Sequence, residues 1–497
     1  MFRWCLAIAL VPAIARAGVV EPDPRADDAF DVMNVLARAH LHELDDEWWN
    51  VYGQLTYIEQ AKLPFSAAYT NLDQNPGGQG NSLQTRFESS FTATFTLYAG
   101  VRLWRGAELY LSPELLSELP LSDLTGLGGA VQNFELQKGG TPTPVAYLAR
   151  AYLTQTLPLG GDTRAVDSNP LALGNKALDQ RRITITAGRF SVLDFFDKNT
   201  YAGDLRRQFF NMAFMTYAAY DFTADTRGYT FGAVAELYWD RFAVRYARTA
   251  PPKLPNRGDL DLSFGLFDTS TSPGGKSYGD QIELEHDHEL AGRPGAVRVL
   301  AYRNREYMGR FDDAIRQFES DPARYDAATC PPGSFANHVS NAIAPDLCWA
   351  RAINTKLGIG INAEQAITPE IGVFLRAMYS DGQSEVEAFT PTDRSLSLGA
   401  LARGGLWSRR NDYAGVGFGA GWISRPHADY LHLGGIDGFI GDGALDRAAE
   451  LVGEAFYGVN LTSSIWLSGD YQLIVNPAFN SARGPVSIVG GRLHAEF

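Results

Sequence analysis

The chain has 497 residues, a formal net charge of -14 and 45% hydrophobic residues, so it can bury a large core and is not a disordered chain. Its 57 acidic residues outnumber its 43 basic ones, which excludes the basic surface typical of nucleic-acid binding. The abundance of aromatic residues and glycine, with 28 Phe, 22 Tyr and 50 Gly, favours a β-rich, turn-rich protein over a helical bundle.

The N-terminal residues have the features of an export signal. Arg3 precedes the apolar run from Trp4 to Ile14, and Ala15-Arg16-Ala17 forms an A-x-A cleavage pattern. A buried helix would share the apolar run but not the small-residue site that follows it. We therefore expect residues 1–17 to be a signal peptide and Gly18 to begin the mature, exported chain.

Residues 18–47 are expected to form a periplasmic segment ahead of the main domain. From Ala26 to Asp46, apolar residues recur at near-helical spacing, which predicts a short amphipathic helix. Trp48 and Trp49 follow it and suit a membrane interface. Two interpretations of the helix stay open: it caps the domain that follows, or it binds a partner.

From residue 48 to residue 497 the chain repeats segments of about ten residues in which apolar and polar positions alternate. In the segment from Thr85 to Gly100, for example, Phe91 and Leu97 share one face while Thr92 and Thr94 share the other. Beyond the signal peptide, no apolar stretch approaches the ~18 residues that a membrane helix needs. A soluble β-sandwich is the competing fold, but it would have to bury the mid-strand Arg and Glu residues.

Seventeen segments fit the alternating pattern, and single-chain bacterial barrels have even strand numbers. The shortest of them, Leu260 to Phe267, is the one we exclude. The predicted fold is all-β: a 16-stranded antiparallel transmembrane β-barrel with long loops and a short N-terminal helix. A barrel of this size leaves an aqueous channel.

Two cysteines outside the signal peptide, Cys330 and Cys348, lie in one polar stretch. Export leads to an oxidising compartment, so we expect a disulfide between them. A metal site is the alternative, but only His338 stands nearby as a further ligand, so no metal is expected.

Several segments resemble the OprB-type carbohydrate-selective porins. The segments are Leu103 to Tyr110 with Pro113-Glu114, Thr186 to Phe190, Asp194 to Asp197, Gln208 to Asn211, Glu454 to Tyr457, Asp470 to Gln472, Asn476-Pro477 and Gly491 to Phe497. The resemblance covers most of the mature chain. It implies a 16-stranded pore of the bacterial outer membrane, monomeric, that passes glucose and related sugars by passive diffusion. It also implies that the terminal aromatic residue Phe497 is presented to the barrel-assembly machinery.

A passage for neutral sugars needs hydrogen-bonding groups and flat apolar surfaces along a wet path. Arginines on the polar faces of predicted strands, Arg86, Arg245, Arg376 and Arg492, supply planar donors. The first candidates for a constriction, which lie on two neighbouring early strands where they are expected to converge, are Arg86, Glu88, Glu108 and Tyr110. The second choices are Glu236, Arg241, Arg245, Glu283 and Glu285.

The segment after the fifth predicted strand is long enough to fold inward and narrow the pore. Its aromatic residues are Phe195, Phe196, Tyr201, Phe209 and Phe210. Packing within a surface loop is the alternative interpretation of these rings. The same segment carries Asp194, Asp197, Asn199 and Asp204, whose spacing fits turn capping and matches no calcium loop.

Two other functions stay open. A general or cation-preferring diffusion pore follows if the excess acidic residues line the narrowest part. An outer-membrane barrel enzyme would need an activated nucleophile, but the G-x-S-x-G match from Gly275 to Gly279 runs into a predicted strand where a nucleophile elbow needs a helix. We therefore expect no enzymatic activity and no cofactor, with small sugars and outer-membrane lipids as partners and no nucleic acid.

Overall fold

Sixteen antiparallel strands close into a barrel in which each strand pairs with its neighbours in the chain and the first pairs with the last. The structure, a computed structural model, describes residues 31–70, 81–137, 141–262, 277–331 and 342–497. The strands are β1 (Trp49–Lys62), β2 (Glu88–Trp104), β3 (Ala107–Leu119), β4 (Val145–Val166), β5 (Asn175–Phe190), β6 (Thr230–Trp239), β7 (Phe242–Thr249), β8 (Tyr278–Leu290), β9 (Arg293–Gly309), β10 (Arg351–Ala366), β11 (Ile371–Ser380), β12 (Arg394–Arg403), β13 (Tyr413–Trp422), β14 (Glu450–Thr462), β15 (Ile465–Val475) and β16 (Val486–Glu496).

These strands confirm the predicted fold class, and each overlaps one of the sixteen retained segments. The excluded segment is described only over 260–262, where Leu260 makes an isolated bridge with Pro252. The predicted signal peptide lies outside the described residues.

Among the predicted bounds that differ from the structure are those of β2, predicted as Thr85 to Gly100, and of β3, predicted as Ala107 to Ser112. β2 begins at Glu88, so Arg86 lies outside the strand. β3 extends past Ser112 to Leu119, because Pro113 sits at a register irregularity against β4 and not at a strand end. A bulge accommodates the missing proline N–H without ending the pairing.

The faces of the strands explain why this chain folds as a barrel. On β10, Leu357 is 51% exposed on the outside, while Lys356 and Asn362 point inward and are buried. Apolar residues therefore meet lipid and polar residues meet the lumen, as in other membrane barrels. No helix in the described part of the chain is long and apolar enough to cross a membrane.

One rim of the barrel carries short turns and the other carries long loops, which places the short turns on the periplasmic side. The tight turn Arg105–Gly106 is typical: Gly106 has φ +77°, and a Cβ there would lie 2.3 Å from the carbonyl oxygen of Thr156. This position therefore requires glycine for two reasons: it accepts a positive φ, and it has no Cβ to collide with Thr156.

The N-terminal helix is observed as α1 (Val32–Arg38), shorter than the predicted segment. Its buried Met33 packs with Tyr52 and Tyr98, so the helix covers part of the barrel end that carries the short turns. At the same end the backbone of Phe497 pairs with Gly53, which closes the seam between β1 and β16.

The long loops carry three further helices, α2 (Met212–Met215), α3 (Phe311–Ser320) and α4 (Arg425–His432). The loop that contains α3 also contains Cys330 and Cys348, which are joined by a disulfide with Cα atoms 6.0 Å apart.

His427 of α4 holds three of these loops together. Its ring nitrogens lie 3.0 Å from an oxygen of Asp393 and 3.2 Å from an oxygen of Asp437, and the ring stacks on Phe311. Burial acts to lower the pKa of His427, but the two carboxylates outweigh it and raise the pKa to about 9.

We expect this loop cluster to lose stability as the pH rises through about 9. A raised pKa means that the folded state binds the proton more tightly, so the stabilisation is complete below the unfolded pKa of ~6.5. Hydrogen exchange of residues 423–437, corrected for intrinsic rates, should show less protection at pH ~10 than at pH ~7. His427→Gln should remove that difference, and equal protection of the unaltered protein at both pH values would contradict the assignment.

Candidate functional site

The connection between β5 and β6, residues 191–229, folds into the barrel, and we call it the constriction loop. Phe209 and Phe214 of this loop are fully buried. Phe209 packs edge-on against Phe374 of β11 and Phe456 of β14, with ring centroids 5.4 and 5.0 Å apart. This apolar cluster fills the lumen next to β11–β16.

Arg376 of β11 is the central anchor of the constriction loop. Its side chain is 1% exposed, and its Nε lies 2.8 Å from Oδ1 of Asp197. It also donates hydrogen bonds to the carbonyl groups of Ala202 and Phe214, at 2.9 and 2.7 Å. Asp197 has φ +55°, a conformation that a non-glycine residue keeps only when its surroundings fix it.

Two more strands hold the same loop through its backbone. Arg492 of β16 donates to the carbonyl groups of Leu205 and Gln208, at 3.0 and 2.7 Å. Glu454 of β14 accepts a hydrogen bond of 2.7 Å from the backbone N–H of Phe210. Arg376 and Arg492, which the sequence offered as polar groups of the lumen, therefore serve to position the loop.

A cavity of about 860 Å³ lies between the constriction loop and the inner faces of the early strands. Its charged lining residues are Glu108, Arg150, Arg164, Arg182, Asp194, Asp197, Lys198, Asp204, Arg206, Arg227, Glu236, Arg245, Glu285, Asp287 and Arg298. Rings also line it, among them Phe195 and Tyr238, both only half-buried.

An alternating row of charges crosses the wall of this cavity from β6 to β10. Arg245 lies 3.2 Å from Glu236 and 2.9 Å from Glu283. Arg298 lies 2.5 Å from Glu285 and 3.3 Å from Glu364. Every carboxylate in the row therefore has an arginine partner, and the wall offers guanidinium donors and carboxylate acceptors side by side.

The loop side of the cavity is paired in the same way. Arg150 of β4 makes a two-pronged ion pair with Asp194, at 2.8 and 2.6 Å. Burial acts to raise the pKa of Asp194, but Arg150 holds it below its usual value. Arg206 is paired with Glu135 of the loop between β3 and β4.

Three of the four residues that the sequence predicts to cap turns in the constriction loop do so, while the fourth, Asp197, instead pairs with Arg376 and accepts the backbone N–H of Tyr217. Asp194 accepts the backbone N–H of Ser191, Asn199 accepts that of Tyr201, and Asp204 accepts that of Arg206. Among the described residues, the one group with metal-ligand spacing is Cys330, Asp346 and Cys348, whose sulfur atoms form the disulfide.

The structure brings only some of the sequence-predicted constriction residues to the cavity. Glu108, Tyr110, Glu236, Arg245 and Glu285 line it, and the hydroxyl of Tyr110 donates to Glu108 at 2.7 Å. Glu283 is fully buried behind Arg245.

The predicted convergence of Arg86 and Glu88 with Glu108 and Tyr110 is wrong. β2 and β3 run antiparallel, so Glu108 pairs with Arg102 at the periplasmic end, while Glu88 stands at the opposite end of β2. There Glu88 accepts a hydrogen bond of 2.7 Å from the hydroxyl of Ser122.

Arg86 and Arg241 also lie outside the cavity lining. Arg86 is exposed in the loop that precedes β2. Arg241 is exposed in the short turn between β6 and β7, where Asp240 has φ +55°. A turn residue at the rim cannot present its side chain to the middle of the pore.

The inward fold of the aromatic segment is confirmed, but its rings have different surroundings. Phe196, Phe209 and Phe210 are buried in the packing of the loop. Phe195 is the ring of this set that faces the cavity in part.

A family model described as "Carbohydrate-selective porin, OprB family" matches residues 80–497. A search of curated proteins finds no match. Among solved structures, the high-pH structure of Pseudomonas putida OprB has a TM-score of 0.60 at 15% identity and covers 90% of this chain and 94% of its own. Its low-pH structure has a TM-score of 0.45 at 11% identity, with 93% and 96% covered. The outer membrane channel DcaP of Acinetobacter baumannii has a TM-score of 0.44 at 10% identity, with 90% and 97% covered.

At 15% identity, the likeness to the first of these structures supports the fold. The family match covers most of the barrel, and the closed sixteen-stranded topology agrees with it. Porins are channel proteins and not enzymes. The chain therefore belongs to the OprB family of carbohydrate-selective porins, and its place is the bacterial outer membrane.

Proposed function

We propose that this porin passes glucose and related sugars by passive diffusion through the cavity between the constriction loop and the wall formed by β3–β9. The observation that carries the proposal is the row of paired charges from Glu236 to Glu364, flanked by the half-buried rings of Phe195 and Tyr238.

Paired charges suit a neutral polyol. An arginine has five N–H donors, and Arg298 uses two of them on Glu285 and Glu364, which leaves others for sugar hydroxyls. Those hydroxyls in turn donate to the carboxylates. The rings of Phe195 and Tyr238 offer flat surfaces for the C–H face of a sugar. Each contact between a sugar hydroxyl and one of these groups is a single hydrogen bond with a small net free energy, so a sugar that binds is also able to leave.

The pairing argues against the cation-preferring alternative. The chain is acidic overall, but Glu236, Glu285 and Asp194 each face an arginine within 3.2 Å. The cavity lining as a whole carries eight basic and seven acidic residues, and such a lining does not concentrate cations as a ring of acidic residues alone would. An ion current with little selectivity is expected.

Tyr238→Ala is expected to weaken block of the single-channel current by glucose about fivefold. The ring of Tyr238 lies 3.8 Å from the guanidinium of Arg182 and donates from its hydroxyl to Glu236. Loss of one ring on which a sugar stacks is expected to reduce the binding free energy of glucose by about 1 kcal/mol, which corresponds to about fivefold in affinity. The measurement is a glucose titration of the current of purified protein in planar bilayers.

Tyr238→Phe keeps the ring and is expected to keep most of the block. Arg86→Ala is the matched control, because Arg86 is exposed outside the cavity lining and its loss should change nothing. Equal weakening in Tyr238→Ala and Arg86→Ala, or the absence of saturable block in the unaltered protein, would refute the proposed passage.

Two further proposals concern partners. We propose that Phe497 is recognised by the barrel-assembly machinery and that the barrel acts as a monomer surrounded by outer-membrane lipids. Phe497 supports the first, since it completes β16 with its ring stacked on Phe95.

A further inference from the structure

We infer that Lys198 makes this passage prefer sugars that carry a carboxylate, such as aldonates and uronates, over neutral sugars. The inference rests on the proposed sugar passage and names the substrate class that the same site favours.

The backbone presents Lys198 to the lumen in a fixed position. Asp197 before it is held by Arg376, and Asn199 after it donates to the side-chain oxygen of Asn362 at 2.8 Å. The amide nitrogen of Asn362 donates in turn to the carbonyl group of Lys198 at 3.1 Å. Asp197 and Asn199 are buried, while the side chain of Lys198 is exposed and lines the cavity.

Lys198 differs from the other charges near it because no carboxylate pairs with it within 4.0 Å in the described part of the chain. Four charged groups act on it from the surrounding elements: Asp194, Arg150, Glu236 and Arg245. These four form two ion pairs of their own, Arg150 with Asp194 and Arg245 with Glu236. Asp194 and Glu236 are thus each paired with an arginine, and among the described residues the ammonium of Lys198 has no carboxylate partner of its own.

An ammonium group has three donors and no acceptor, so it takes a carboxylate better than a hydroxyl. The row of paired charges beside Lys198 forms hydrogen bonds with the hydroxyls of the same solute, as proposed above. A sugar acid combines both groups in one small molecule. A simple carboxylic acid anion has the carboxylate but not the hydroxyls, and a neutral sugar has the hydroxyls but not the carboxylate.

The test is a bilayer titration of current block with glucose, gluconate and butyrate. The ammonium of Lys198 is open to water in the cavity but surrounded by protein, and this loss of solvation lowers its pKa, so the assay is run near pH 6, where gluconate stays ionised. We expect gluconate to block at a concentration about fivefold below that of glucose, the size of an exposed ion-pair contribution. The ratio should fall towards one at ~0.5 M salt, because salt screens the attraction.

Lys198→Met should bring the ratio of gluconate to glucose block to about one while glucose block changes less than about twofold. Lys198→Arg should keep the preference, and Lys253→Met, an exposed lysine outside the cavity, should leave it unchanged.

A fivefold ratio that survives Lys198→Met would overturn the inference while the sugar passage stands. Butyrate that blocks as well as gluconate would also overturn it, because the selectivity would then be for anions alone. If neither glucose nor gluconate blocks any variant, the proposed function itself fails.

Discussion

Arg376→Leu is expected to raise the single-channel conductance at least about twofold and to abolish block by glucose. The substitution leaves the carboxylate of Asp197 buried without a counter-charge, and it removes the hydrogen bonds to Ala202 and Phe214. Breaking a buried ion pair by removing one partner costs about 3–5 kcal/mol. The constriction loop is then expected to leave its position and widen the passage.

The barrel itself should survive this change, because every strand remains hydrogen-bonded to two neighbours around the closed sheet. Resistance to unfolding in cold detergent, read from gel migration before and after heating, verifies that the variant is folded. Arg425→Leu is the matched control, since that side chain is 86% exposed on α4. Unchanged conductance and block in a folded Arg376→Leu protein would show that the loop does not depend on this anchor.

A milder pair of variants separates the loss of charge from the loss of volume. Arg376→Gln should open the passage because Asp197 keeps its charge. The double variant Arg376→Gln with Asp197→Asn should recover part of the original conductance, since replacing both partners removes the uncompensated charge. A double variant as open as the single one would contradict the electrostatic explanation.

Arg245→Met is expected to make the passage cation-selective, with the potassium to chloride permeability ratio raised about threefold or more. Arg245 is the partner of Glu236, Glu283 and Glu285. Glu285 keeps Arg298, but Glu236 and Glu283 lose the arginine that compensates them. Uncompensated carboxylates in a narrow passage attract cations and repel chloride.

The reversal potential of the current in a tenfold potassium chloride gradient measures this ratio. Glucose block should weaken together with the change in selectivity, because the row of donors is interrupted at its centre. Arg181→Met is the matched control: Arg181 pairs with Asp240 at the rim and does not line the cavity. An unchanged permeability ratio in Arg245→Met would mean that ions do not pass this row.

The barrel could be predicted because the local sequence alone determines which residues lie on each face of a strand. Residues such as Leu357 and Lys356 are separated by the pleat alone, so a period of two assigns one to lipid and the other to the lumen. No knowledge of distant contacts is needed for that step. The same local pattern gives seventeen segments, and the even strand number of single-chain bacterial barrels reduces them to sixteen.

The grouping of site residues failed where it needed position along the barrel axis. Arg86 and Glu88 were combined with Glu108 because they lie on neighbouring strands of the same polar face. The turn Arg105–Gly106 fixes the pairing of β2 with β3. It places Arg102 opposite Glu108, and Glu88 therefore lies at the other end of the barrel. The register of a hairpin therefore predicts the height of each residue along the barrel axis, which the alternation of apolar and polar residues does not.

Register would also have found Arg298, because the short turn Ala291–Gly292 between β8 and β9 sets it opposite Glu285. Other residues had no local signal. Arg150 meets Asp194 only because the constriction loop folds inward. Arg376 and Arg492 read as pore-lining residues, since the sequence of a strand cannot tell whether a lumen-facing arginine meets water or a buried loop.

Sugars are expected to cross this barrel faster than other neutral solutes of their size. Entry of radiolabelled glucose into proteoliposomes tests this expectation most directly, against an ethylene glycol oligomer of similar hydrodynamic size. We expect that glucose enters faster than the glycol at low concentration, that its rate saturates, and that net uptake ends when the concentrations inside and outside are equal. Equal rates for glucose and the glycol at every concentration would contradict it.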